Sequence, residues 1–204
     1  MRKEDEEEKI NGLIDDFSSF RIRKTCKECF STEHKFKFCP LFVDFKNNVS
    51  NSNYIVNNYD EILERDILGF CAAGIFIVKH IDNEPHFLAL NEKRHNKLLY
   101  NIIGGKRENL KESPINVAMR EFKEETNLEI SMDEKIMKYV WFFKSKYIAL
   151  VYNLENFNVS NAILEKSVNS LDWKSFKDLD EKIFHFFSKE MINYIFENIS
   201  FEKK

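Results

Sequence analysis

"SPINVAMREFKEETNLEI", residues 113–130, has the pattern of a single helix with a clear start and a clear end. Ser113 is a preferred N-cap residue, and Pro114 suits the first helical position. Asn127 stands where a residue of positive φ commonly ends a helix, and Asn is the next choice there after Gly. Apolar residues at helical spacing predict one buried stripe, made of Ile115, Ala118, Met119 and Phe122.

Beside this stripe, the helix carries three glutamates on one side. A helix turns by about 100° per residue, so Glu121, Glu124 and Glu125 fall within an arc of about 100°. Such like-charge neighbours cost about 0.2–0.5 kcal/mol per pair in an isolated helix. Two interpretations are open: a solvated acidic face, which is the usual fate of a charge run, or a site for a hard cation such as Mg²⁺.

The residues before the helix favour the cation site. Gly104 and Gly105 end an apolar run, and glycines allow the backbone to approach a ligand closely. Lys106 and Arg107 follow them and are candidate phosphate contacts, with solvated loop charges as the alternative. A glycine turn, two cations and an acidic helix together predict a place where a metal ion and a phosphate meet.

The segment "GGKRENLKESPINVAMREFKEETNL", residues 104–128, resembles the Nudix box. That motif has a glycine, then a glutamate, then R-E-U-x-E-E-x-G-U, in which U is aliphatic. Glu112 lies eight residues before Arg120, as the motif has it. The other matching positions are Glu121, Glu124, Glu125 and Leu128.

The segment departs from the motif in three ways. The loop from Gly105 to Glu112 is one residue longer than usual, Phe122 stands at an aliphatic position, and Asn127 replaces the final glycine. The longer loop also resembles that of coenzyme A diphosphatases. The upstream region lacks that family's Phe-Pro before the glycines and its arginine–glycine signature, so this assignment is less favoured.

The resemblance implies hydrolysis of a diphosphate linkage, usually in a nucleoside diphosphate joined to another group, with Mg²⁺ or Mn²⁺. On that basis Glu124 and Glu125 are assigned as metal ligands and Glu121 as a ligand or general base. Arg120 would orient a carboxylate, either Glu121 or Glu112. Glu112 would fix the loop to the helix or join the outer metal shell.

Three further residues complete the site that the resemblance implies. The carbonyl of Gly104 is a candidate metal ligand. Many members of the family add an acid from a loop after the hairpin, and Glu165 is the first candidate here for such a further Mg²⁺ ligand, with Glu155 second. An exposed loop acid with no such role is the alternative for both.

The same resemblance implies a mixed α/β (α+β) fold, a Nudix-like α/β/α sandwich, with a small N-terminal appendage. The pattern along the chain agrees, because strands and hairpins alternate with helices. The predicted elements are strands over 69–80, 86–94 and 98–105, a hairpin over 135–155 turning near Lys144–Lys146, a short strand in 171–179 and a helix over 180–199.

The composition bounds the kind of protein. Hydrophobic residues make up 43% of the 204 positions, which is enough for a real core, and the net charge of −3 gives no global reason to expect nucleic acid. No apolar run reaches the length of a transmembrane helix, so no membrane association is expected. Four cysteines without a secretion signal predict a reducing, intracellular (cytoplasmic) setting.

Residues 1–64 are predicted to be separate from the Nudix domain, 65–204. They hold an amphipathic helix over 4–20 and an Asn-rich linker over 46–59. Between these lies a set with the spacing of a structural zinc site that resembles a zinc knuckle: Cys26, Cys29, His34 and Cys39. The alternative is a set of buried thiols beside a Lys/Phe strand.

The substrate follows less directly from the sequence. The leading hypothesis is a soluble nucleotide or nucleoside-diphosphate derivative, and the alternative is the 5′ cap of RNA, since decapping proteins pair Nudix boxes with RNA-binding segments. A binding module that has lost turnover is a third possibility, against which the intact carboxylates argue. Four aromatic residues could stack on a base or belong to the core: Tyr100, Trp141, Phe143 and Tyr147.

Overall fold

The structure is a computed structural model that describes residues 36–94, 97–131, 136–179 and 184–201. The chain divides into two compact units, Met1–Cys39 and Pro40–Lys204. In the first unit the description covers a 3-10 turn, Phe36–Phe38, and the buried Cys39. The predicted helix over 4–20 and the other three predicted zinc ligands lie outside the described residues: Cys26, Cys29 and His34.

The described part of the second unit contains helices and strands in alternation. The helices are α1 (Pro40–Asn47), α2 (Glu64–Gly69), α3 (Pro114–Thr126) and α4 (Phe186–Asn198). The strands are β1 (Tyr54–Val56), β2 (Ala72–Ile81), β3 (Glu84–Arg94), β4 (Lys97–Asn101), β5 (Ile103–Lys106), β6 (Ile136–Phe142), β7 (Tyr147–Asn153) and β8 (Val168–Ser175).

These strands form one mixed sheet, as predicted. Its order is β1-β6-β7-β2-β3-β4, with β5 paired to β2 and β8 paired to β3. The β2–β7 pair is parallel, and the other described pairs are antiparallel. The β2–β3 turn contains Asp82 and Asn83, both with positive φ, which matches the right-handed twist of a tight hairpin.

The sheet separates two apolar cores, because successive side chains of a strand point to opposite faces. On β2, Ile75 and Ile77 enter the core that contains Val117, Ala118 and Phe122 of α3. Phe76 and Val78 enter the other core, with residues of α4. Burying one such large side chain contributes about 1.5–3 kcal/mol. The predicted α/β/α sandwich is therefore confirmed, with α3 on one face and α4 on the other.

The apolar run predicted as one strand over 98–105 is two strands. β4 pairs with the second half of β3, and β5 pairs with the first half of β2. The chain passes from one partner to the other at Ile102, which interrupts the strand. This step brings β5 beside β2, where Gly104 lies opposite Gly74 and Gly105 lies opposite Ala73.

The boundary predicted at residue 65 falls too late in the chain. Inside the predicted linker, β1 pairs with β6, and Tyr54 lies opposite Trp141. The buried Asp66 carboxylate ties this segment down, because it accepts bonds from the Ser50 amide (2.6 Å) and the Tyr54 hydroxyl (2.9 Å). The unit that carries the sheet therefore begins at Pro40.

Among the described residues, no helix combines the length and the apolar character that crossing a bilayer requires.

Candidate active site

Helix α3 begins and ends as its sequence predicts, and these ends fix the position of its acidic side. The Ser113 hydroxyl accepts a hydrogen bond from the Asn116 amide at 3.2 Å, and Pro114 is the first helical residue. Asn127 has a left-handed φ of 54°, and its amide donates to the Lys123 carbonyl at 2.8 Å. The three glutamates are thus carried on a rigid element anchored at both ends.

Glu121 rests against the backbone of Gly105. A β-carbon added at Gly105 would overlap the carbon and both oxygens of the Glu121 carboxylate. The side chain of Glu121 is only 16% exposed, so its carboxylate, and not solvent, fills the space that a side chain at Gly105 would occupy. Glycine at this position lets the strand and the carboxylate touch.

Glu125 is held by the preceding glycine and lies deeper. The Gly104 amide donates a hydrogen bond to Glu125 Oε2 at 3.1 Å. Burial raises the pKa of Glu125 to about 8, against the lowering effect of the Gly104 bond and with further increases from the carboxylates of Glu121, Glu92 and Glu165. Burial and the neighbouring carboxylates therefore favour the protonated form of this carboxyl group, and a cation beside it would favour the charged form.

Arg120 supplies a positive charge from the helix itself. Its Nη1 lies 2.7 Å from Glu121 Oε1 and 3.3 Å from Glu124 Oε2, and its Nε lies 3.0 Å from Glu112 Oε1. Its Nη2 donates to the Lys106 carbonyl at 3.0 Å. The guanidinium thus joins α3 to the end of β5 and holds the Glu121 carboxylate in one orientation.

Glu112 connects the loop after β5 to the same arginine. Its second oxygen, Oε2, accepts a hydrogen bond from the Glu108 amide at 2.6 Å. The Asn109 side chain closes this turn by accepting from the Glu112 amide at 3.2 Å. Glu112 therefore fixes the loop to the helix through Arg120.

The donor set suits a hard divalent cation in its chemistry. Glu121 and Glu125 offer oxygen ligands beside Gly104 and Gly105 of β5, and the raised pKa of Glu125 reflects burial beside other carboxylates. Glu124 is different, since 57% of its side chain is exposed. Across the described ranges, no group of three or more His, Cys, Asp or Glu side chains is already gathered around one metal position. In this structure the guanidinium of Arg120 supplies the positive charge that balances the carboxylates of Glu112, Glu121 and Glu124.

Arg107 does not lie at this site, and its predicted contact with phosphate is corrected. It is 6% exposed, and its guanidinium donates to four backbone carbonyls and stacks on the Phe70 ring at 4.2 Å. Those acceptors are Ile67 (3.4 Å), Leu68 (2.8 Å), Asn109 (2.9 Å) and Leu110 (2.7 Å). The side chain ties the end of α2 to the loop that follows β5. Lys106, by contrast, is exposed and stays a candidate phosphate contact.

The two candidate acids after the hairpin lie at different places. The Glu165 amide donates to the Glu125 carbonyl at 3.4 Å, and the Ile163 amide donates to the Thr126 carbonyl at 3.0 Å, so this loop runs along the end of α3. Glu155 lies at the far end of β2, where its Oε1 is 2.6 Å from His80 Nδ1. The loop that carries Glu165 thus lies against the end of α3, and Glu155 lies away from it.

One acid near the site escaped the sequence interpretation. Leu88, Leu90 and Glu92 alternate on β3, and the two leucines enter the core on the α3 face. Glu92 continues that face and contributes to the raised pKa of Glu125. The sequence pattern could have identified it, because a glutamate that follows two core leucines at every second position of a strand faces the same helix as they do.

Two of the four aromatic candidates for base stacking belong to the cores. Trp141 is 1% exposed and Tyr147 is 7% exposed, so neither ring is free to stack on a base. Tyr100 is partly buried, donates to Asp172 Oδ2 at 2.8 Å and lies against Phe184. The remaining candidate is Phe143, which is partly buried against the α3-side core.

No known protein-family profile matches the chain, and no curated protein sequence matches it. Among solved structures, the fold is similar to an Ap4A hydrolase of C. elegans (18% identity, 62% of this chain, 96% of that chain, TM-score 0.47). It is also similar to a Nudix hydrolase of M. smegmatis, RenU (10% identity, 66% of this chain, 90% of that chain, TM-score 0.48). A third is the Nudix domain of Shewanella oneidensis NrtR, complexed with ADP ribose (14% identity, 64% of this chain, 88% of that chain, TM-score 0.47). These likenesses concern the path of the chain, and no functional assignment rests on them.

Proposed function

We propose that this chain is a Nudix-type hydrolase that uses Mg²⁺ or Mn²⁺ to cleave a diphosphate linkage in a nucleoside-diphosphate derivative. The observation that carries the proposal is the meeting of Glu121 and Glu125 at Gly104–Gly105, with Arg120 bridging to Glu112. Glu112, Arg120, Glu121 and Glu125 keep the spacing of the Nudix box, and the loop from Gly105 to Glu112 is one residue longer than in that motif. Their convergence is what the chemistry of that motif requires.

The carboxylates of Glu121 and Glu125 would hold the cation, with Glu124 and the Gly104 carbonyl as further ligands. When bound, a divalent ion neutralises phosphate charge and lowers the pKa of a coordinated water. Phosphoryl transfer leaves little covalent work to the protein, so positioning and charge account for most of the catalysis. Arg120 orients Glu121 and stays with the carboxylates, and the exposed Lys106 is available to phosphate.

Glu165 is the proposed additional acid, since its loop lies against the end of α3. Glutamine variants of Glu121 and Glu165 show which of the two residues receives the proton of the attacking water. Glu121→Gln should lower kcat and metal affinity together, because that carboxylate lies among the cation-holding groups. Glu165→Gln should lower kcat with metal affinity preserved if this exposed acid is the base.

The test of the proposal is a panel of nucleoside-diphosphate derivatives incubated with the full chain in heavy-oxygen water, with and without Mg²⁺. Product masses show which phosphorus receives the water oxygen. The proposal predicts Mg²⁺-dependent products from at least one member and none from Glu125→Gln. A protein that binds these compounds and hydrolyses none of them would instead be the binding module.

Capped RNA belongs in the same panel as the alternative substrate. Its support is the cluster of Lys24, Lys35 and Lys37 beside the cysteine segment, which would suit RNA through phosphate contact. If that segment is a zinc knuckle, the chain contains one equivalent of zinc that Cys29→Ser loses, and the same change weakens capped-RNA binding. Zinc-free protein with unchanged RNA affinity in Cys29→Ser would remove this alternative.

A further inference from the structure

Two glycines leave a gap between side chains on one face of the sheet, where β2 and β5 pair. Gly74 and Gly104 lie opposite each other there. A β-carbon at Gly74 would overlap the hydroxyl of Tyr147 and lie 2.9 Å from Gly104 Cα. One at Gly104 would also overlap that hydroxyl and lie 2.6 Å from the Ala73 carbonyl oxygen. The phenol oxygen of Tyr147 therefore occupies the space that both glycines leave open.

Tyr147 reaches this gap from the α4 face of the sheet. It is the first residue of β7, which runs parallel to β2, and its ring belongs to the core on that face with Ala149 and Val151. Only 7% of the residue is exposed. Its hydroxyl donates to the Ile103 carbonyl at 3.5 Å, immediately before Gly104. A buried polar group of this kind needs such a partner, and here the partner is the strand that leads into the catalytic loop.

The carboxylates lie on the other side of the same strand. Gly104 donates its amide to Glu125, and Gly105 makes room for Glu121. Consecutive residues of a strand face opposite sides, so the side-chain position of Gly104 faces Tyr147 while that of Gly105 faces Glu121. One thickness of backbone separates the phenol from the two carboxylates.

We infer that Tyr147 is a positioning residue for the carboxylate site, acting through the backbone of Ile103–Gly105. Glycine has the greatest backbone freedom of any residue, and Gly104 has a φ of 152° that other residues rarely adopt. The hydroxyl of Tyr147 restrains this segment from behind. It thereby sets the Gly104 amide that holds Glu125 and the Gly105 surface that supports Glu121.

The role in catalysis rests on the proposed function, but the geometry is testable without it. Tyr147→Phe removes only the hydroxyl, and Tyr139→Phe is a matched control. Tyr139 is also 7% exposed and packs edge-on against Tyr59 at 5.8 Å. In metal-free full-length protein, amide exchange by NMR should be about tenfold faster at Gly104 in Tyr147→Phe than in wild type, because the local opening becomes easier. Tyr139→Phe should leave Gly104 unchanged.

Mn²⁺ affinity and turnover then connect the geometry to the site. Tyr147→Phe should weaken Mn²⁺ binding and lower kcat, each by about tenfold, with KM little changed, since the loss lies in positioning. Gly104 exchange and Mn²⁺ affinity equal to those of Tyr139→Phe would overturn the inference. If the wild type hydrolyses no diphosphate while Gly104 exchange and Mn²⁺ affinity change as described, the proposed function fails and the positioning role stands.

Discussion

Replacing Gly105 with alanine should perturb the candidate site while leaving the fold intact. The added β-carbon would overlap the Glu121 carboxylate, which is the end of a flexible side chain and can rotate away. Gly105 does not have the positive φ found at Gly104, so alanine fits its backbone without strain. The change therefore displaces one carboxylate and leaves the strand in place.

The expected magnitudes follow from these contacts. A rotamer shift of Glu121 costs about 0.5–1.5 kcal/mol, and a compatible Gly-to-Ala change returns about 0.4–1 kcal/mol through the unfolded state. The free energy of unfolding of Gly105→Ala should thus stay within about 1 kcal/mol of wild type. Displacing a catalytic group by about 1 Å costs about 100-fold in rate, so kcat should fall about 100-fold.

Gly104→Ala is the matched control. Its β-carbon would lie 2.6 Å from both the Ala73 carbonyl oxygen and Gly74 Cα, which are backbone atoms and cannot move away. Its φ of 152° adds strain of about 1–3 kcal/mol. Urea unfolding and kcat on the same diphosphate substrate decide the matter. A Gly105→Ala protein with wild-type kcat, or one as unstable as Gly104→Ala, would refute the reasoning.

Three other changes have defined outcomes. Because the folded protein raises the pKa of Glu125 to about 8, the unfolded chain loses that proton first, near pH 4.3 (about the unperturbed value). The stability of the metal-free protein therefore falls between these two pH values. Glu125→Gln should match wild type in urea melts at pH 4 and exceed it at pH 8, and equal stability at pH 8 would contradict the burial argument. Arg107→Ala should lower the free energy of unfolding by about 3 kcal/mol or more, because it leaves buried carbonyls unpaired. Lys106→Ala should keep wild-type stability and raise KM. A stable Arg107→Ala protein with a raised KM would instead show that Arg107 contacts the phosphate. Asn127→Ala should cost about 1–2 kcal/mol, since alanine is strained at a φ of 54°, whereas Asn127→Gly should cost little, and equal losses in thermal melts would count against the left-handed cap.

Helix α3 could be predicted from sequence because all of its determinants are local. Ser113, Pro114 and Asn127 act on their own turns, and the spacing of the glutamates is a property of the helix alone. The hairpin of β6 and β7 was accessible for a related reason, since a turn between two apolar runs identifies strands that pair with their neighbour along the chain. A site joining the glutamates to the two glycines was expected from the residues before the helix and from the resemblance to a known motif, and the contact of Glu121 with Gly105 is known only from the structure.

The errors concern contacts between distant parts of the chain. Arg107 follows the two glycines closely in sequence whether it faces a phosphate or the carbonyls of Ile67 and Leu68, and those carbonyls come from a helix about 40 positions earlier. β1 is three residues in an Asn-rich segment, and its pairing depends on β6. Pairing that depends on a distant partner leaves no local pattern by which to recognise it.

The division of one apolar run into β4 and β5 has the same cause. The run changes partner from β3 to β2 at Ile102, which no property of the run itself reveals. Tyr147 shows the point for the site. Its sequence context is that of a strand aromatic, and only the register of β7 against β2, which sets its place at the glycine gap, distinguishes it from other core residues.

The most direct test of the account is the initial rate of diphosphate hydrolysis as Mg²⁺ is titrated, for wild type and Glu125→Gln in parallel. The account predicts a saturable, Mg²⁺-dependent rate for the wild type and a rate at the level of the enzyme-free control for the variant, which still unfolds cooperatively. A variant that hydrolyses the substrate at the wild-type rate, or a wild-type rate that is indifferent to Mg²⁺, would contradict it.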